Sequence, residues 1–165
     1  MALYLKVSDV ERMGSVLIDL ANRFPRTVGT ERQLSPAVYS MLQVLDPRMS
    51  YEWNVAAGRI DFRTSHTNPS FLELAVATRI LASGDQANQL SPSQNDSELK
   101  KLDSGNAKSR LLLLVDLDRD DRDFEPSYLD WRSRNSLRNT LQVVTAARSG
   151  RVSTFGLSPT QTAAA

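Results

Sequence analysis

Apolar residues in the first part of the chain recur at alternating intervals of three and four: Val10, Met13, Leu17, Leu20 and Phe24. That spacing lays one buried stripe along a helix over about residues 9 to 24. Ser8 and Glu11 supply a capping box at its start, and Pro25 ends it. A short strand is expected before it, over residues 2–7. Ser35-Pro36 reads as the N-cap and first-turn proline of a second helix, with Val38, Met41, Leu42 and Leu45 on its apolar face. The period then changes to two. Residues 51–55 alternate as a half-buried strand does, Ala57-Gly58 reverses the chain, and in 58–63 Ile60 and Phe62 point one way while Arg59, Asp61 and Arg63 point the other. After a loop of turn formers over 64–70, Leu72, Leu74 and Val76 share a face opposite Phe71, Glu73 and Ala75.

The polar stretch 83–97 predicts a loop leading into a helix whose body includes Gln94 to Leu102. On that helix Gln94, Glu98 and Lys101 fall on one stripe, and Lys100 lies about a third of a turn away. Leu111 to Leu117 is almost wholly apolar and too short for a buried helix, so it predicts a strand covered on both faces at the sheet centre. A helix from Glu125 to about 140 follows, with Tyr128, Trp131 and Asn135 on one side. A hairpin then pairs 142–148 with 151–157 across Ser149-Gly150. The order is helix, helix, three strands, helix, strand, helix, two strands. It describes a single α/β domain over 1–157 with a flexible tail over 158–165.

Composition narrows the chemistry. With no cysteine and one histidine, His66, thiol catalysis, disulfides, cysteine-ligated zinc and multi-histidine metal centres are excluded. The net charge of +1 gives no global attraction to nucleic acid, so any basic surface must be local. No apolar run is long enough for a membrane span, and the first residues lack the pattern of a signal peptide. A cytoplasmic chain without membrane partners is expected.

Asp61 and Glu73 are the candidate site. If Leu72, Leu74 and Val76 join Ile60 and Phe62 in the core, both carboxylates emerge on one surface. The residues Gly58-Arg59-Ile60-Asp61-Phe62 and Phe71-Leu72-Glu73-Leu74-Ala75, set in this order of elements, resemble the two acidic motifs of the PD-(D/E)xK nuclease superfamily over about residues 31–117. The resemblance implies a restriction-endonuclease-like three-layer core, with a mixed central sheet of about five or six strands flanked by helices. It further implies a metal-dependent hydrolase of DNA or RNA phosphodiesters, in which Asp61 and Glu73 hold Mg²⁺ and a lysine two residues after the glutamate assists. Mg²⁺ is suited to such a pair, because it takes one or two carboxylates together with waters and substrate phosphate.

The chain departs from the pattern at Ala75, where the lysine is expected. Lys101 is the first candidate to replace it from the following helix and Lys100 the second, with Gln94 and Glu98 as neighbouring binding residues. The alternative is a catalytically inactive nuclease-like fold that binds nucleic acid, a protein partner or a second copy of itself. Against the site stands the reading of Asp61 and Glu73 as exposed carboxylates paired with Arg59 or Arg63. Asp116-x-Asp118-x-Asp120 has the spacing of a calcium loop, but Asp121 and Ser127 replace the required glycine and glutamate. Asp116 is expected to be capped by backbone donors or an arginine. Trp53 and Trp131 read as core, and Arg132, Arg134, Arg138, Arg148 and Arg151 as either a solvated face or phosphate contacts.

Overall fold

The computed structural model describes residues 5–25, 28–65, 68–78 and 89–159, apart from the Tyr51 side chain. The elements follow the expected order: α1 (Val7–Arg23), α2 (Glu31–Leu45), β1 (Ser50–Val55), β2 (Gly58–Arg63), β3 (Ser70–Ala77), α3 (Asp96–Asp103), β4 (Ser109–Asp116), α4 (Glu125–Arg134), β5 (Leu141–Ala147) and β6 (Val152–Leu157). The strands form one six-stranded sheet in sequence order. It is mixed: β1, β2 and β3 run antiparallel, β3, β4 and β5 parallel, and β6 returns antiparallel to β5.

Two apolar clusters make this a three-layer α/β fold. One packs α1 and α2 on the first sheet face, and the other packs α3 and α4 on the second. β4 shows why its sequence is continuously apolar: Leu111, Leu113 and Val115 enter the first cluster while Leu112 and Leu114 enter the second.

Several boundaries differ from those expected, each for a local reason. Residues 2–4 of the expected first strand lie outside the described residues, and Val7 already belongs to α1, whose free Lys6 N–H is taken by the Asp9 carboxylate. The buried face of α1 includes Gly14, Ile18 and Ala21, whereas Phe24 is 53% exposed because the helix ends at Arg23 and the chain turns away. A side chain at Gly14 would bring its Cβ to 3.0 Å from the Ala146 Cβ, so glycine lets α1 lie directly on β5.

The second helix begins at Glu31 with Thr30 as its N-cap, five residues before the expected Ser35 cap and Pro36 start. Thr30 Oγ1 accepts from Gln33 N at 3.3 Å, and Gln33 Oε1 accepts from Thr30 N at 3.1 Å. This reciprocal cap outweighs the one helical hydrogen bond that Pro36 forfeits. α4 stops at Arg134 and not near 140, because the N–H groups of Arg138 and Asn139 are claimed by the Asp103 carboxylate and Leu137 turns into the core.

Two features fix α3 against the sheet. Gln94 lies in the turn before the helix, where its Oε1 accepts from Gln89 N at 2.7 Å and Ser91 Oγ at 3.2 Å. At the other end the Arg110 guanidinium donates to the carbonyls of Leu102, Ser104 and Gly105, occupying acceptors that a helix C-terminus leaves open.

A candidate carboxylate and lysine site where two strands part

β2 and β3 pair at only two positions, Phe62 with Leu72 and Arg63 with Phe71. One step further the strands separate, and the Asp61 carboxylate takes the place of a backbone acceptor by bonding Leu74 N at 3.0 Å. The cause lies in the hairpin. On β1, Tyr51 pairs with Phe62 and Trp53 with Ile60, while Glu52 between them has a φ of 54°, in the left-handed region. The ladder kinks there and strict alternation fails. Ile60 belongs to the cluster under α3 and Phe62 to the cluster under α1 and α2, so they do not share a face as expected.

Glu73 also departs from expectation. β3 is buried along its whole length, and the Glu73 side chain, 1% exposed, stays inside instead of emerging on a surface. Lys101, on the last turn of α3, meets it there: Nζ lies 3.1 Å from Glu73 Oε1 and 3.9 Å from Glu98 Oε1. The lysine stem crosses Gly58, where an added Cβ would stand 3.0 Å from Lys101 Cδ. Gly58 also has a φ of 143°, so the turn between β1 and β2 and the path of Lys101 both favour glycine. The contact with Glu73 is an ion pair by distance but lacks hydrogen-bond angles, and the buried Oε1 has no hydrogen-bond donor.

Charge follows from this enclosure. Burial, then the neighbouring Asp61 carboxyl, pushes Glu73 up to about 9 from 4.5, against the opposing pull of Lys101. Burial lowers the Lys101 ammonium, but Glu73, Asp61 and Glu98 together outweigh it and the net shift is upward. Glu31, in the first turn of α2, joins the same group. Desolvation of its carboxyl among neighbouring groups, then Asp61 and Glu98, raises it against Lys101, although the residue as a whole is exposed and solvent screens part of the effect.

A proton that Glu73 holds in the fold up to about pH 9, and in the unfolded chain only to about 4.5, stabilises the fold below about pH 4.5. That contribution is lost as pH rises toward 9. Urea unfolding is therefore expected to show stability falling between pH 5.5 and 8.5, and Glu73→Gln to flatten the slope. An equal slope in both proteins would contradict the assignment.

The structure thus brings together Asp61, Glu73, Glu98 and Lys101. It does not bring Gln94, which is occupied in its turn, or Lys100, whose Nζ pairs with Asp96 at 2.7 Å on the exposed side of α3. Arg59 and Arg63 do not neutralise the carboxylates: Arg59 pairs with Glu52 at 3.2 Å, and the Arg63 guanidinium lies over Trp53. Glu31 was not singled out by the sequence reading, and the Thr30-x-x-Gln33 cap was the signal that could have placed it in a first turn. His66 lies outside the described residues.

Asp116 is tied to Arg122 and to the N–H groups of Asp118 and Arg119. Arg132, Arg134 and Arg151 bond protein acceptors. Among the described residues no three histidine, cysteine or acidic side chains are gathered as a metal-binding group, and no helix is long and apolar enough to cross a membrane. Comparison with protein-family models, curated proteins and solved structures gives no match to this chain.

Proposed function

We propose that the chain is a divergent PD-(D/E)xK-type hydrolase that cleaves DNA or RNA phosphodiesters with Mg²⁺. The observation that carries this reading is Lys101 Nζ at 3.1 Å from Glu73 Oε1, a cation delivered from α3 beside the carboxylate whose own strand has Ala75 where the motif has lysine.

The residues fit the metal that the resemblance implies. Asp61 and Glu73 offer hard oxygen donors, and Glu73 Oε1 is a buried acceptor without a hydrogen-bond donor. Two carboxylates suffice for an ion that keeps several waters, so a three-carboxylate group is not required. Bound there, Mg²⁺ would polarise a phosphoryl oxygen and make its water more acidic.

The chain's own groups do the positioning. Asp61 is fixed by Leu74 N, and the stem of Lys101 is guided across Gly58. The ammonium, held in its charged form, supplies positive charge beside the acidic pair, where an attacking oxygen or the charge gathering on phosphate needs it. Glu73 stays pushed up to about 9 even with Lys101 beside it, so a bound metal ion would have to displace its proton, which couples ionisation of the site to metal binding.

Ala75 supports the second reading, an inactive fold that binds protein or nucleic acid. One assay separates them: purified protein with Mg²⁺ and labelled DNA and RNA. Turnover is expected, and Asp61→Ala and Glu73→Ala should each reduce it by about 10²-fold or more. Absence of turnover favours the binding module, and turnover untouched by both changes removes this carboxylate pair from catalysis.

A further inference from the structure

β1 forms one edge of the sheet, and on it Trp53 is 42% exposed, unlike Trp131, which is 5% exposed and donates its indole N–H to Asp96. Trp53 therefore departs from the core role expected of it. The Arg63 guanidinium carbon lies 4.2 Å from the Trp53 ring centroid. Trp53 pairs across the ladder with Ile60, the residue before Asp61. At a strand spacing of about 4.8 Å, the Trp53 backbone stands one strand from that of Ile60, and Glu73 lies on the strand beyond, where β2 and β3 have parted. Arg63 itself is half-buried and donates Nη1 to the Thr64 carbonyl at 3.1 Å, and Arg48, two residues before the Ser50 that pairs with Arg63, adds an exposed cation at this end.

A large π surface with a guanidinium stacked on it, on a strand that forms the sheet edge among the described residues and beside the proposed phosphodiester-cleaving site, matches the face and the charge of a nucleotide. A base inside a duplex has both faces covered by its neighbours and cannot use such a platform, whereas an unpaired base can.

We infer that Trp53 and Arg63 form a stacking platform for an unpaired nucleobase, so that the substrate of the neighbouring site is single-stranded nucleic acid. The assignment of a substrate rests on the hydrolase reading, but the platform itself is testable without turnover.

The test uses the full chain in EDTA with a short labelled oligothymidylate, the matching oligouridylate, and a duplex. Binding of the single strands is expected to quench tryptophan emission. Trp53→Ala should weaken binding, read by anisotropy, by about tenfold or more. Trp53→Phe should retain most of it, and Arg63→Ala should weaken it and reduce its salt dependence. An unchanged circular dichroism spectrum checks that the exposed substitution leaves the fold intact. No binding by the wild type, equal binding by Trp53→Ala, or equally tight duplex binding overturns the platform. Cleavage with Trp53-independent binding would remove the platform and leave the hydrolase. Trp53-dependent binding without cleavage would do the reverse.

Discussion

Lys101→Ala is expected to lower Mg²⁺-dependent cleavage by about 10²- to 10³-fold, the range for loss of one preorganised charge or donor at a reacting centre, while Lys100→Ala leaves the rate unchanged. The two lysines are adjacent in sequence and carry the same charge, so net charge and general attraction to nucleic acid are matched between the variants. Geometry alone separates them. Lys100 Nζ is engaged 2.7 Å from Asp96 with its side chain 58% exposed, whereas the Lys101 side chain is 15% exposed and reaches the buried Glu73. Initial rates on labelled single strands, with melting temperatures recorded alongside, check the contrast. Equal rates for both variants would remove Lys101 from the mechanism and leave Ala75 uncompensated. If Lys100→Ala carried the loss instead, the helix would have to turn by about a third of a turn to present Lys100 to substrate, against the ion pair observed.

The order of elements was legible because each rests on a local signal. β4 is apolar at every position from Leu111 to Val115, β5 and β6 are joined by Ser149-Gly150, and α1 keeps its three-and-four spacing. Lys101 could be found from Glu98, three residues earlier on the same helix face. The kink at Asp61 could not. It depends on a positive φ at Glu52, a residue type that gives no warning of such a conformation, and it sends Ile60 and Phe62 to opposite sheet faces. The burial of Glu73 was hidden for a different reason. Alternation says which way a side chain points, but not whether a helix covers that face, and α3 covers it here. Glu31 was missed because Ser35-Pro36 is a strong start signal in isolation, while the competing Thr30 and Gln33 cap wins by satisfying two open N–H groups at once.

Arg122→Ala is expected to destabilise the fold by about 3 kcal/mol, the lower end of the cost of leaving a buried charge without its partner. Asp116, at the end of β4 with its side chain 3% exposed, receives Arg122 Nε and a terminal nitrogen at 2.7 Å each. The N–H groups of Asp118 and Arg119, at 3.1 and 3.0 Å, remain after the substitution and soften the loss without restoring the charge balance. Urea unfolding measures the effect, and the pair Asp116→Asn with Arg122→Met should recover much of it, because no unpaired charge is then left inside. A loss below about 0.5 kcal/mol would mean that the bidentate contact contributes no more than a surface pair. Arg122 also donates to the Gln89 carbonyl and side chain, tying the β4 to α4 connection to the segment before α3. Its removal should therefore loosen the base of the helix that carries Lys101, lowering stability strongly and activity weakly. Lys101→Ala should do the opposite, and that crossed pattern separates the scaffold from the groups proposed to act on substrate.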